Sequence, residues 1–565
     1  MTTSLPPGAI LLIAALVVPF VPGGGRGAVA LLAAAISLVH VIALEPGTQL
    51  SLEFVGYQLE VIRADRLSLA FGYIFHIAAL LSAIYALHVR DGVQVSAGLI
   101  YAGSAIGAVF AGDLLTLFVY WELTAISSVF LIWASRSEPA YRAGMRYLII
   151  QVGSGVLLLA GSLLHLRDTG SLAFGQIGLD TASPASVCIF LAFGIKCAFP
   201  LLHNWLQDAY PRATVTGTVF LSAFTTKLAV YALARGFPGT EILIPIGLVM
   251  TLFPILFAVI ENDLRKVLAY SLNNQLGFMV VGIGVGTEMA LNGTVAHAFC
   301  HILYKALLFM TMGAVLFRTG KIGASQLGGL YKSMPITAVC CIVGAASIAG
   351  FPLFSGFISK SMILTAVADE HLAIIWFGLL VASAGVMEHS GIKIPYFAFF
   401  GHDSGIRCDE APRHMLIAMV ATAGLCVMLG LFPWPLYSIL PYAVDYQPFT
   451  ADHFVTQLQL LLFAALAFVF LVRVRLYPPE IPSVNLDTDW LYRRAAPAAV
   501  AVVYSVGSAL RDAMLGLALL MVGGVISLIR EVTAPRGLFG RTWSTGAMVL
   551  WAAVLLGVYL VLYYL

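Results

Sequence analysis

The sequence predicts an all-α polytopic membrane protein, and three observations carry that reading. Of 565 residues, 60% are hydrophobic and only 10% are charged, more apolar surface than a soluble chain of this length can bury. Apolar runs of spanning length follow one another with short polar breaks, where a transmembrane barrel would show short alternating segments. The few ionisable residues recur inside those runs, as the carboxylate Glu122 does in the middle of GDLLTLFVYWELTAISSVFLIW. A formal net charge of +2 with no basic run argues against nucleic acid as a partner. The seven cysteines form no CxxC pair and lie mostly in apolar runs, so neither a disulfide framework nor an iron–sulfur site is expected.

Taken in order, apolar segments fall near 8–22, 27–45, 66–88, 95–112, 113–134, 145–165, 185–207, 214–235, 241–260, 265–285, 289–317, 334–367, 372–400, 414–433, 454–473, 508–529 and 543–564, roughly 16 spans. The first has no basic residues ahead of it and reads as a spanning helix, not a cleaved signal. Lys and Arg occur in loops of both parities, so the positive-inside rule leaves the orientation open. Two runs are interrupted: 185–207 by Pro200, four residues after Lys196, and 334–367 by Gly350, Pro352 and Gly356 ahead of Lys360. Broken spans are tolerated where they line protein or a wet cavity, and their pairing suggests a repeat-built transporter. Residues 474–494 are polar and Pro-containing; they read as a surface loop leading into an interfacial helix, with Trp490 and Tyr492 at headgroup depth.

Five features carry chemistry: Glu122; Lys196 in FGIKCAFP; Lys227 in FTTKLAVYAL; His297, His301 and Lys305 on one face of AHAFCHILYKALLFM; and Lys360 in SGFISKSMIL. A charge at mid-membrane costs about 2.5–3.5 kcal/mol on insertion scales. Nothing at i−4 (Phe118) or i+4 (Ile126) neutralises Glu122, so its partner must come from another helix. Lysines of this kind, bridged by histidines that titrate near neutral pH and by water, would make a proton relay. A membrane potential is able to drive it, at about 2.3 kcal/mol per charge per 100 mV. Each residue alone has a structural alternative: an ion pair, a snorkelling lysine, a histidine bonded to a carbonyl, or a His-x3-His metal pair lacking a third ligand. For His203 and Asp208 in LLHNWLQDAY a loop-stabilising hydrogen bond competes with transport. Lys393 reads as interfacial, and Glu388 is left open.

At these residues the chain resembles the antiporter-like membrane subunits shared by respiratory complex I, membrane-bound hydrogenases and Mrp-type multisubunit Na+/H+ antiporters, and among them the D component of the last. The matching stretches are FVYWELTA, the Lys196–Pro200 break with His203, Trp205 and Asp208, NDLRKVLAYSLNNQLGFM, HAFCHILYKALLFM and SGFISKSM. One departure is PLLHNWLQDAY, with Gln207 and Tyr210 where the family commonly has Pro and His. The resemblance implies a core of 14 helices with two inverted five-helix repeats and discontinuous helices; the tail beyond about 450 is longer than the family core and adds extra C-terminal helices. It also implies an axis in the order Glu122, Lys196, Lys227, His301/Lys305, Lys360, with His297 beside it.

The corresponding division is 1–112, N-terminal helices; 113–260, first repeat with Glu122, Lys196 and Lys227; 261–433, second repeat with His301, Lys305 and Lys360; and 434–565, accessory helices. The function expected is proton translocation within a multisubunit cation/proton antiporter, with Na+ the expected cation, in a hetero-oligomer of the bacterial inner membrane. No cofactor or metal is expected. The alternative is a proton-conducting subunit of a complex I-like, hydrogenase or inorganic-carbon uptake complex. An intramembrane enzyme is disfavoured by the lack of GxSxG, HExxH or similar arrangements.

Overall fold

Short polar side chains decide where the helices begin. Asp65, Asp91, Asp113, Ser137, Thr214, Asp263 and Thr287 each accept a hydrogen bond from a backbone amide two or three residues onward, satisfying amides that a helix start leaves unpaired. Gly170, Gly286, Gly320 and Gly350 end helices in the left-handed conformation, which costs glycine nothing. The computed structural model describes residues 5–179, 183–482 and 485–565. It divides into two units, Met1–Asn485 and Leu486–Leu565.

The first unit opens with α1 (Ala9–Val17) and α2 (Arg26–Ile42), then a hairpin of β1 (Gln49–Phe54) and β2 (Tyr57–Arg63). There follow α3 (Arg66–Tyr85), α4 (Gly92–Phe110), α5 (Leu114–Trp133), α6 (Glu138–Thr169), α7 (Pro184–Lys196), α8 (Asn204–Ala209), α9 (Val215–Ala223) and α10 (Thr225–Gly236). Next come α11 (Leu243–Ile260), α12 (Leu264–Val285), α13 (Glu288–Thr319), α14 (Pro335–Ala349), α15 (Ser355–Asp369) and α16 (Ala373–Val386). The chain runs on through π-helical turns at Met387–Ile392 and Tyr396–Phe400 around α17 (Lys393–Pro395), then α18 (Arg413–Leu431), α19 (Trp434–Ser438) and α20 (Ala451–Arg473). The second unit has α21 (Ala496–Thr533), entered through a π-helical turn at Leu491–Ala495, and α22 (Thr545–Tyr564). Neither helix has a buried residue.

Among the described residues, 12 helices are long and apolar enough to cross a membrane, and four shorter ones are apolar. The protein is a multi-pass membrane protein. Burial is graded across the first unit. The α9–α10 span is wholly buried, and α12 and α13 nearly so. By contrast α6, α11 and α20 turn Ile149, Leu256 and Phe463 outward, each about two-thirds exposed, as hydrocarbon-facing helices do. Lys227 and Lys305 therefore stand on the most deeply buried of the spanning helices.

Four features differ from the expectations. Residues 46–65 are not a plain polar break: they fold as the hairpin, closed between Phe54 and Tyr57 by Val55 and Gly56, both at positive φ, the requirement of a two-residue hairpin turn. The run 214–235 is interrupted at Phe224, in addition to the two breaks expected. The loop 474–490 does not lie wholly on the surface, since Tyr477 and Glu480 turn inward; Ser483 and Val484 lie outside the described residues. No separate interfacial helix follows it: the turn at Leu491–Ala495 runs straight on into α21, which takes in the expected segment 508–529, and α22 takes in 543–564.

The two expected breaks have the same construction. At Phe199-Pro200-Leu201 and Phe351-Pro352-Leu353 the leucine takes positive φ (70° and 69°), and the next amide bonds back to the phenylalanine carbonyl. Proline supplies the first turn position, and the second is one usually given to glycine. Other details recur at matching places: the N-caps Asp113 and Asp263, the 32-residue helices α6 and α13 with C-caps Gly170 and Gly320, and the bridges Asp113–Ala173 and Asp263–Gly323.

Candidate functional site

Glu122, half-buried on α5, lies in a notch of α6. A β-carbon at Gly155 would overlap its Oε1, and that oxygen has no hydrogen-bond partner. The preceding Trp121 joins three helices: its indole NH donates to Ser154 Oγ at 3.0 Å, and Ser154 donates to Ala192 O on α7 at 2.8 Å. Lys196 closes α7 just before the Pro200 break. Its Nζ donates to Trp121 O at 2.8 Å and Thr124 Oγ1 at 2.7 Å, and stands 4.2 Å from the centroid of the Trp121 ring. Glu122 and Lys196 are within electrostatic reach of each other, yet the ammonium turns to Thr124 and the Trp121 carbonyl and leaves Oε1 of the carboxylate unbonded.

Lys227 uses the unexpected break. With the helix broken at Phe224 (φ −104°, ψ −64°), Ser222 O accepts from Lys227 Nζ at 2.6 Å. Lys305 Nζ donates to Ser271 Oγ at 2.9 Å. From there a hydrogen-bonded chain runs through Ser390 Oγ (2.7 Å) to His389 Nδ1 (2.9 Å). His297 meets Ser359 Oγ at 3.1 Å and, at 3.4 Å, the Tyr304 hydroxyl, which also reaches Gln275 Oε1. Among the described residues neither ring nitrogen of His301 has a hydrogen-bond partner. Its ring lies 6.2 Å from that of His297 and within electrostatic reach of Lys227, Lys305 and Lys360. Lys360 Nζ donates to Ile348 O at 3.0 Å, one residue before the end of α14.

Lys196, Lys227, Lys305 and Lys360 are thus all buried, and among the described residues none has a carboxylate within ion-pairing distance. Each ammonium is held by neutral oxygens: Trp121 O, Thr124 Oγ1, Leu268 O and Ser271 Oγ from within helices, and Ser222 O and Ile348 O at a helix break and a helix end. The expected residues come together, with a step at Cys197, next to Lys196 and within electrostatic reach of Lys227.

Lys393 corrects the interfacial reading. It is fully buried; its Nζ donates to Ala258, Val259 and Glu261 carbonyls at 3.2, 2.6 and 2.8 Å and pairs with Glu480 at 2.9 Å. The C-terminal end of α11, whose last carbonyls have no intrahelical donors, attracts a cation to that depth. Asp208 pairs with Arg146 of α6 at 2.6 Å and with Arg212 at 3.5 Å. Sequence reasoning missed His389, although it interrupts an apolar run in VMEHSGIK, and missed Ser271 and Ser390, which no pattern distinguishes from helix-packing serines. A cavity of about 410 Å³ beside Asp65, Arg66, Gln176, Arg235 and Tyr442 reaches Leu291 and Val295 on α13, the helix of His297.

Residues 111–386 match the family described as NADH:quinone oxidoreductase/Mrp antiporter, TM. The D component of the Na+/H+ antiporter of Alkalihalophilus pseudofirmus is 30% identical over 352 residues, 59% of this chain and 71% of that one. The chain belongs to this family. Hydrogenase-4 component B of Escherichia coli is 28% identical over 371 residues, and the A component of the A. pseudofirmus Na+/H+ antiporter 32% over 391. These alignments take in 59% and 61% of this chain but only 55% and 48% of those relatives. Among solved structures, a chain of the Mrp complex from Dietzia sp. DQ12-45-1b superposes with a TM-score of 0.76 at 25% identity, over 92% of this chain and 62% of that one. A chain of an archaeal membrane-bound sulfane sulfur reductase superposes with 0.72 at 21%, over 98% and 99%.

Proposed function

We propose that the chain is the proton-translocating subunit of a multisubunit cation/proton antiporter in the bacterial inner membrane. In this reading Glu122, Lys196, Lys227, His301 with His297, Lys305 and Lys360 form the axis, two halves, 113–260 and 261–433, repeat one plan, and His389 extends the axis. One observation carries it: four buried lysines held by neutral oxygens, with no carboxylate within ion-pairing distance among the described residues. A structural role would pair each with a carboxylate, because burying an ammonium costs several kcal/mol that only good partners offset. An ammonium held this way hosts its proton at small net gain, as a site that fills and empties must. The recurring turns and caps support the two-halves plan.

The Na+/H+ antiporter relatives support Na+ as the cation, and the 43-residue helix Leu491–Thr533, without a buried residue, supports partner subunits. The hydrogenase relative favours a second reading, the same proton axis driven by redox partners. In everted vesicles holding the whole complex, addition of Na+ should dissipate an imposed pH gradient, and Lys305→Ala should reduce that response to background. A full response from Lys305→Ala would refute the axis; a proton flux indifferent to Na+, K+ and Li+ but dependent on electron donors would select the second reading.

A further inference from the structure

The axis does not use Glu480, which also lies beyond the matched region ending at 386. It sits on a strap, 474–482, that follows α20. Chain chemistry fixes the course of the strap. The amides of Leu476 and Tyr477 both donate to Leu471 O at the end of α20, at 2.9 and 3.0 Å. The Tyr477 ring packs edge-on against Phe468 at 5.1 Å, and its hydroxyl donates to Glu388 Oε1 at 2.7 Å. Pro478 and Pro479 then restrict two successive φ angles, so Glu480 is delivered by a stiff segment.

Glu480 Oε1 meets Lys393 Nζ at 2.9 Å, with the two side chains 8% and 0% exposed. The other partners of that ammonium are three backbone carbonyls, which do not take up a proton at working pH. Among the described residues Glu480 is therefore the one acid–base group in contact with it. We propose that Glu480 is the acid–base residue through which Lys393 exchanges its proton, so that the strap supplies in cis a station beyond His389; this rests on the transport reading above. In the step, one N–H bond of the ammonium breaks and an O–H bond forms at Glu480 Oε1. A positive and a negative charge become two neutral groups, and the reverse step restores them.

The surroundings suit that exchange. Facing the pair are Glu388 and His389 from its own element, Tyr477 from the strap, and Glu261, Asp263 and Lys266 from the start of α12, Glu261 being paired with Lys266 at 2.7 Å. Of these carboxylates Asp263 caps α12 and Glu261 pairs with Lys266, so Glu388 and Glu480 share the single charge of Lys393, and a proton is the ready substitute for the missing cation. Burial pushes the Glu480 carboxyl above its ordinary value, against the pull of the Lys393 charge.

The test compares Glu480→Gln, Glu480→Asp and Lys196→Met in the whole complex in vesicles, with assembly checked on native gels. The expected result is a loss of at least about tenfold in proton transport for Glu480→Gln at normal assembly, with Glu480→Asp intermediate. Full transport by Glu480→Gln overturns the proposal, as does an Asp variant as inactive as the Gln variant. If Glu480→Gln fails to assemble, Glu480→Asp decides: an intermediate rate supports the assignment, and a full or null rate overturns it. Loss in Lys196→Met with full transport in Glu480→Gln rejects only the strap assignment; full transport in both rejects the transport reading.

Discussion

Lys196→Met abolishes coupled transport, by at least about a hundredfold, while the complex remains assembled and at least as thermostable as the parent. The ammonium has two neutral oxygen partners and the Trp121 face, and among the described residues no carboxylate within ion-pairing distance. Charge-assisted bonds and a cation–π contact return about 1–3 kcal/mol each at best, against a desolvation cost of several kcal/mol. Methionine fills much of the same volume with a flexible apolar chain. It strands no acceptor either, because the Thr124 hydroxyl donates to Trp121 O at 2.7 Å whether or not the lysine is there. Thermal unfolding of the solubilised complex and transport in vesicles measure the two effects separately. Transport at the parental rate would mean that protons do not pass this residue.

Gly155→Ala impairs both stability and transport without removing any ionisable group. The added methyl group would overlap Glu122 Oε1 and crowd its Cδ, so the carboxylate must leave its notch or α6 must move away from α5. Overpacking of this kind costs about 1–3 kcal/mol, a melting point lower by several degrees. The double variant Glu122→Ala/Gly155→Ala should recover the stability, because the clash partner is gone, but not the transport. That gives a non-additive cycle in one readout and none in the other. Additive stability losses would show that Glu122 does not occupy the notch.

How much of this was legible in the sequence varies with the kind of signal. Spanning helices were readable because a bilayer demands long apolar runs, and Glu122, Lys196, Lys227, Lys305 and Lys360 because charge inside such a run is costly. What escaped was set by backbone geometry or by tertiary contacts. The break at Phe224 has no glycine or proline to announce it. The hairpin at 49–63 was marked by alternation and by Val55-Gly56, but its strands are short beside the apolar runs. The twin Phe-Pro-Leu turns were written plainly, and their equivalence shows only when both leucines are found at positive φ. Lys393 looked interfacial because it lies near the end of its run; the carbonyl end of α11 and a glutamate 87 positions onward are not local in sequence.

The bond from Lys227 to Ser222 O crosses a discontinuity in its own helix, and this gives the residue a mechanical side. A charged amine ties the two half-helices like a latch, with a bond about twice as strong as a neutral amine makes. In the transport reading proposed above, departure of the proton would slacken the latch and free the serine carbonyl to accept water or to let the joint flex. Occupancy and backbone bending would then be linked at one point, where a change of angle between α9 and α10 is felt on both sides of the break.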